Sequence, residues 1–188
     1  MYRDQLWNLM LLNFVIALPL VVASANNKCP TTLPSCGIDC TSVTSCKVYV
    51  YQTNNNGTLT TTLLSSSTGT AGSGNTVCQQ PGGSITWEAV DGSGNASGSY
   101  TVAFSSDNSP QSPCGPGNND FPNTSSNPNT CTIQSGTSPD TCFAYTATYT
   151  PQGATSADNP DDPQVIVKCP GTGIPGGANC PMVREKKK

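Results

Sequence analysis

All ten cysteines of this 188-residue chain lie beyond Ala25, where an apolar run from about Leu9 to Val22 ends in the small-residue triplet Ala23-Ser24-Ala25. The run is shorter than the roughly 20 apolar residues that cross a bilayer comfortably, and Asn13 and Pro19 interrupt it. It reads as a signal peptide cleaved after Ala25, which predicts a secreted, extracellular product with no membrane insertion. Asn26, Asn27 and Lys28 stand before Cys29, so lipid attachment at a new N-terminal cysteine is not expected. Thiols exported to an oxidising compartment pair. Cys29, Cys36, Cys40, Cys46, Cys78, Cys114, Cys131, Cys142, Cys169 and Cys180 are therefore expected as disulfides and not as nucleophiles or metal ligands. Ten cysteines admit roughly a thousand pairings, so full pairing is predicted and the map is not.

The charge pattern excludes whole classes of function. Between Lys47 and Lys168 there is no Lys, Arg or His, while eight carboxylates run from Glu88 to Asp162. Nucleic-acid binding requires cations along the phosphates, and this body supplies none. Gly92-Ser93-Gly94 and Gly171-Thr172-Gly173 lack the spacing and the lysine of a phosphate loop and read as turns. The chain contains no histidine, which removes the usual base near neutral pH, the Ser-His-Asp and Cys-His arrangements and the usual imidazole ligand. No catalytic, cofactor-binding or metal residue is assigned, and no cofactor is expected.

One domain is expected in the 163 residues after Ala25. Residues 26–46 hold four cysteines within 18 positions and few large apolar side chains, which predicts a disulfide-stapled N-terminal cap. Residues 47–169 turn to period two. Strands are predicted at 47–52, 58–64, 84–90, 99–105, 142–150 and 164–169, bounded by Gly, Asn, Asp, Ser or Pro clusters, and no segment has a convincing helical period. In Cys142–Thr150, Phe143, Tyr145, Ala147 and Tyr149 share one face and Ala144, Thr146, Thr148 and Thr150 the other, so the aromatic side is expected in the core. The glycine-rich loop 91–98 predicts that the strands on either side of it pair as a hairpin. Residues 106–141, with six prolines, read as a long surface excursion pinned by disulfide bonding. Residues 170–188 read as a Gly/Pro-rich and basic tail that Cys169 and Cys180 hold against the body. The expected fold is an all-β, disulfide-stapled Greek-key β-sandwich, cupredoxin-like or immunoglobulin-like.

A few side chains are candidates for chemistry. Asn56-Gly-Thr58, Asn95-Ala-Ser97 and Asn123-Thr-Ser125 are glycosylation sequons, all three placed in predicted loops. Asp158, Asp161 and Asp162, with Asp91 and Asn95, are hard oxygen donors of the kind calcium takes, although turn formation accounts for them. Glu88 is the only glutamate in the body and the one residue a carboxylate-dependent hydrolase would turn on. Trp87, Tyr49, Tyr51 and Tyr100 offer rings that stack on sugars, while the alternation assigns most of them to core packing.

Gly83-Ser84-Ile85-Thr86-Trp87, Tyr100-Thr-Val-Ala-Phe104 and Asp162-Pro-Gln-Val-Ile-Val167 resemble strands of secreted cupredoxin-like β-sandwiches. The resemblance spans about half of the chain after Ala25 and implies the fold and, in that family, a copper centre. The family's strand similar to Tyr100–Phe104 begins with a copper-binding histidine, for which this chain has Tyr100, and no histidine is present for the second ligand. No site residue is carried over. The function expected from the residues is a secreted, monomeric, non-catalytic structural or recognition module for an extracellular protein or glycan, with its contact surface in the loops and the 106–141 excursion. The alternatives are a divergent copper-binding or redox cupredoxin and a carboxylate-dependent polysaccharide hydrolase.

Overall fold

The computed structural model describes residues 29–66, 75–108, 112–116, 120–124, 129–170 and 180. The expected leader, the start of the cap and most of the basic tail lie outside them. The described residues contain no helix. They form ten strands: β1 (Ile38–Asp39), β2 (Ser45–Asn55), β3 (Thr58–Leu64), β4 (Thr76–Gln79), β5 (Ser84–Ala89), β6 (Ser99–Phe104), β7 (Asp120–Thr124), β8 (Thr130–Thr132), β9 (Thr141–Thr150) and β10 (Gln164–Val167). These assemble into a six-stranded sheet, β1-β4-β10-β9-β6-β7, and a four-stranded sheet, β3-β2-β5-β8. Both are mixed. β1 and β10 run parallel to β4, and β2 runs parallel to β5, while the remaining neighbours are antiparallel.

Alternation drives the packing of the two sheets. Val48, Val50, Ile85, Trp87 and Ala89 project from the four-stranded sheet onto Val102, Phe104, Phe143, Tyr145 and Ala147 of the six-stranded one, and all are buried. Trp87, fully buried, sits at the centre with ring centroids 5.6 Å from Phe121, 5.9 Å from Tyr145 and 6.4 Å from Phe104. Edge and tilted contacts of this kind add to the area each ring removes from water. The aromatic face of β9 is in the core as its sequence implies, and Asn56 and Gly57 supply the positive φ values, 53° and 86°, of a tight β2–β3 hairpin.

Three expectations are corrected. β5 and β6 do not pair, because β5 lies between β2 and β8 and β6 lies in the other sheet. The 91–98 loop is hairpin-like only at its base, where Val90 bridges Ala96 and the Ser97 N–H donates to the Ala89 carbonyl at 3.0 Å. A half-buried strand has the same alternation whether its chain neighbour lies beside it or across the sandwich. The 106–141 stretch is not an excursion: it supplies β7 to the edge of one sheet and β8 to the edge of the other, and it buries Phe121, Cys131 and Ile133. Pro122 is tolerated in β7 because an edge strand need not donate on both sides. Consequently Asn123 stands in a strand, paired with Tyr100, and not in a loop.

The cysteines are all paired, as Cys29–Cys142, Cys36–Cys78, Cys40–Cys46, Cys114–Cys131 and Cys169–Cys180. Of the four expected to staple a cap among themselves, only Cys40 and Cys46 do so. Cys78, Ile166 and Cys142 are register partners across β4, β10 and β9. They alternate with the inward Val77, Val165 and Phe143, so they belong to the outer face of the six-stranded sheet. Bridges to Cys36 and Cys29 therefore draw the segment between those two cysteines across three strands, and Ile166 is fully buried on that face. The N-terminal segment is a strap, and β1 continues it into the sheet edge. Five disulfides suit folding in an oxidising environment.

Candidate functional site

With one face of the four-stranded sheet committed to the core, the side chains at alternate positions form its outer face. In register, Tyr49 pairs with Leu64 on one side and Glu88 on the other, Tyr51 with Thr62, and Thr53 with Thr60. Tyr49 and Tyr51 are half-buried. The Thr53 hydroxyl lies 2.8 Å from that of Thr60 and 2.9 Å from that of Thr62, and Thr86 and Thr130 share a similar contact at 2.8 Å. The Lys47 ammonium bonds Glu88 at 2.7 Å and stands 5.8 Å from the Tyr49 ring centroid. Glu88 holds the Lys47 pKa above its ordinary value, chiefly through that hydrogen bond. The two charges cancel locally.

Trp87, Tyr49, Tyr51 and Tyr100 are thus separated into two pairs. Trp87 and Tyr100 are core, while Tyr49 and Tyr51 remain on the surface. The Tyr100 hydroxyl donates to the Trp87 carbonyl at 2.8 Å and accepts the Asn129 N–H at 3.1 Å, tying the two sheets together. Burial pushes the Tyr145 phenol well above its ordinary range, and Trp87 offsets only part of that shift, so Tyr145 is neutral.

At one pole of the sandwich the 56–57 turn and the 91–98 and 151–163 loops gather. Two shallow depressions of about 460 and 330 Å³ lie there, the first beside Leu59, Asp158 and Asn159 and the second beside Gly98, Thr150 and Gln152. Asn56 and Asn95 are exposed at this pole. Its carboxylates are engaged in structure. Asp91 Oδ1 accepts the N–H groups of Ser93 and Asn95 at 2.8 and 2.9 Å. Those donors, Asn95 foremost, hold its pKa below the usual carboxylate value. Both oxygens of Asp158 accept from the Gln52 amide at 2.9 Å. Burial of the Tyr149 hydroxyl, and next the charge of Asp158, raise the Tyr149 pKa. Asp161 accepts from Asn75 at 2.9 Å and from the Asp162 N–H at 3.0 Å, and burial raises its pKa. Asp162 lies 3.4 Å from the Thr146 hydroxyl. Among the described residues, no three His, Cys, Asp or Glu side chains converge on a point where an ion would sit.

A blue-copper centre does not fit these residues. It takes two imidazoles and a thiolate. The chain has no histidine, every cysteine is in a disulfide, and Tyr100, where the resemblance would put a ligand, is spent on the core hydrogen bonds above. No protein-family model matches this sequence, and no curated protein is similar to it.

The outer face is the arrangement that sequence reasoning missed. Its signal was present: Lys47, Tyr49, Tyr51 and Thr53 occupy one parity of β2, and Val48 and Val50 the other. What was lacking was the identity of the flanking strands, which places Glu88, Thr60 and Thr62 beside them.

Proposed function

We propose that this chain is a secreted, extracellular, non-catalytic recognition module whose disulfides hold a rigid sandwich for surface contact. The observation that carries this reading is the use to which reactive groups are put. All cysteines are paired, Glu88 is neutralised by Lys47, and Asp91, Asp158 and Asp161 accept structural hydrogen bonds. A glycosidase needs one carboxyl group free to donate a proton and a second at a set distance. Glu88, with its ion-pair partner attached, does not offer that. The test is a panel of extracellular polysaccharides and matrix proteins, with retention of the oxidised protein and release of reducing ends read together. Saturable retention without release supports the module, whereas release that disappears in Glu88→Gln overturns it.

We further propose a cupredoxin-like topology for the sandwich. The parallel pairs β1–β4, β4–β10 and β2–β5 favour it over the immunoglobulin arrangement, which is built from antiparallel sheets. Copper titration of the purified protein tests the functional side of the resemblance: no bound metal is expected, and a stoichiometric copper complex would reverse that.

A further inference from the structure

Resting on the recognition-module reading, we propose that the outer face of the four-stranded sheet is a docking platform for an extended, neutral glycan whose sugar rings stack on Tyr49 and Tyr51. Two residues apart on one strand, these tyrosines project from the same face about 6.7 Å apart along the strand. Tyrosine suits such contact because it offers a large amphipathic surface with only two side-chain torsions to immobilise. The strands hold both rings half-buried, so part of their ordering cost falls on folding and not on binding.

Hydroxyls of the partner would meet hydroxyls of the protein. Thr53, Thr60 and Thr62 form a contiguous cluster beside Tyr51, and Thr86 and Thr130 form another beyond Glu88. Each hydroxyl both donates and accepts, and its hydrogen rotates to suit the partner. The Lys47–Glu88 pair provides directional donors and acceptors next to Tyr49 while adding no net charge. Charge then selects among glycans. The chain carries a formal net charge of −3 and has no cation between Lys47 and Lys168, so sulfated or uronic-acid polymers meet a net repulsion and find no counter-charge on this face except a lysine already paired. A neutral chain meets neither obstacle. The two tyrosine positions also differ. The ring of Tyr49 is partly shared with Lys47, whereas the hydroxyl of Tyr51 lies 3.5 Å from the position a Cβ on Gly92 would take, so the 91–98 loop borders the platform at that end.

The experiment is titration calorimetry of the full oxidised chain with hexasaccharides of β-1,4-linked glucose, β-1,4-linked mannose, β-1,4-linked N-acetylglucosamine and β-1,3-linked glucose, with a heparin hexasaccharide as the acidic comparison. At least one neutral hexasaccharide is expected to bind. Tyr49→Ala and Tyr51→Ala should each weaken it about tenfold, and Tyr51→Phe should stay within about twofold because the ring remains. Both positions are on the surface, and an unchanged disulfide map and melting temperature confirm that the variants fold. Should either fail to fold, ring-proton shifts of Tyr49 and Tyr51 in the wild-type protein on titration replace it, and unmoved resonances count against the platform. Binding that both alanine variants leave intact, preference for the heparin fragment, or no binding by any neutral hexasaccharide overturns the platform while leaving the module reading standing. Cleavage of a hexasaccharide overturns the module reading itself.

Discussion

The strap over the six-stranded sheet makes a quantitative prediction about which disulfide matters most. Cys29–Cys142 spans 113 residues and Cys40–Cys46 spans 6. Taken alone, closing the longer loop limits the unfolded chain by about 4.8 kcal/mol in the chain-entropy relation. Cys36–Cys78 and Cys114–Cys131 already shorten that path. The effective loop is roughly 55 residues, and removal of Cys29–Cys142 should cost about 4 kcal/mol, against about 2 kcal/mol for the six-residue loop. Loss of the strap from Ile166 adds to the first figure. Against a total stability of about 5–15 kcal/mol for a domain, both are large effects. The assay is guanidinium unfolding, under non-reducing conditions, of Cys29→Ala/Cys142→Ala and Cys40→Ala/Cys46→Ala beside the wild type. The first variant should lose about 2 kcal/mol more than the second and show the steeper denaturant dependence, since its unfolded chain exposes more surface. Equal losses, or a greater loss at Cys40–Cys46, would refute the claim that the long-range bridge dominates.

Other expectations concern single side chains. Tyr100→Phe removes the donor to the Trp87 carbonyl and the acceptor for the Asn129 N–H, and should cost about 1–3 kcal/mol in thermal or chemical unfolding. Gly83→Ala would put a Cβ 2.6 Å from Gln79 Cδ, and the fully buried Gln79 amide is held by the Ser84 carbonyl and the Gln80 N–H. Displacing it should also cost about 1–3 kcal/mol, and a neutral Gly83→Ala would show that the pocket yields. Asp161 has a folded pKa above its unfolded value, mainly through burial, so its carboxyl favours folding below the unfolded pKa and that advantage is lost as pH rises through the folded pKa. Asp161→Asn keeps an acceptor oxygen for Asn75 and the Asp162 N–H. Its melting temperature relative to wild type should therefore rise with pH across the acid range and then level off. Parallel melting curves from pH 3 to 7 would remove the burial argument.

What the sequence disclosed depended on how far each strand shows two unlike faces to its surroundings. β9 extends the expected 142–150 by one residue because its two faces differ along its length, and β3 spans the expected 58–64 because a threonine-rich run follows directly on the Asn56-Gly57 turn. β4 carries no such signal. Thr76, Val77, Cys78 and Gln79 are all buried, since β4 lies between β1 and β10 and is bridged to the strap at Cys78. β1 is two residues long, and β7 and β8 are short edge strands in Asn- and Pro-rich sequence. Their pairing is supplied by the neighbour and not by their own composition. The same cause explains the candidate site. The parity of Tyr49 and Tyr51 is visible in β2, but Lys47–Glu88 and Thr53–Thr60 become neighbours only once β5 and β3 are known to flank it.

The claim on which the rest depends is that the cysteines build a scaffold across the whole sequence and not a local cap. Peptide mapping of the oxidised protein, digested at acid pH to suppress exchange and sequenced by mass spectrometry, tests it most directly. The expected linked peptides join Cys29 to Cys142 and Cys36 to Cys78, with Cys40–Cys46, Cys114–Cys131 and Cys169–Cys180 closing the set. A Cys29–Cys36 bridge, or any map that leaves Cys142 or Cys78 unlinked to the N-terminal segment, would contradict it.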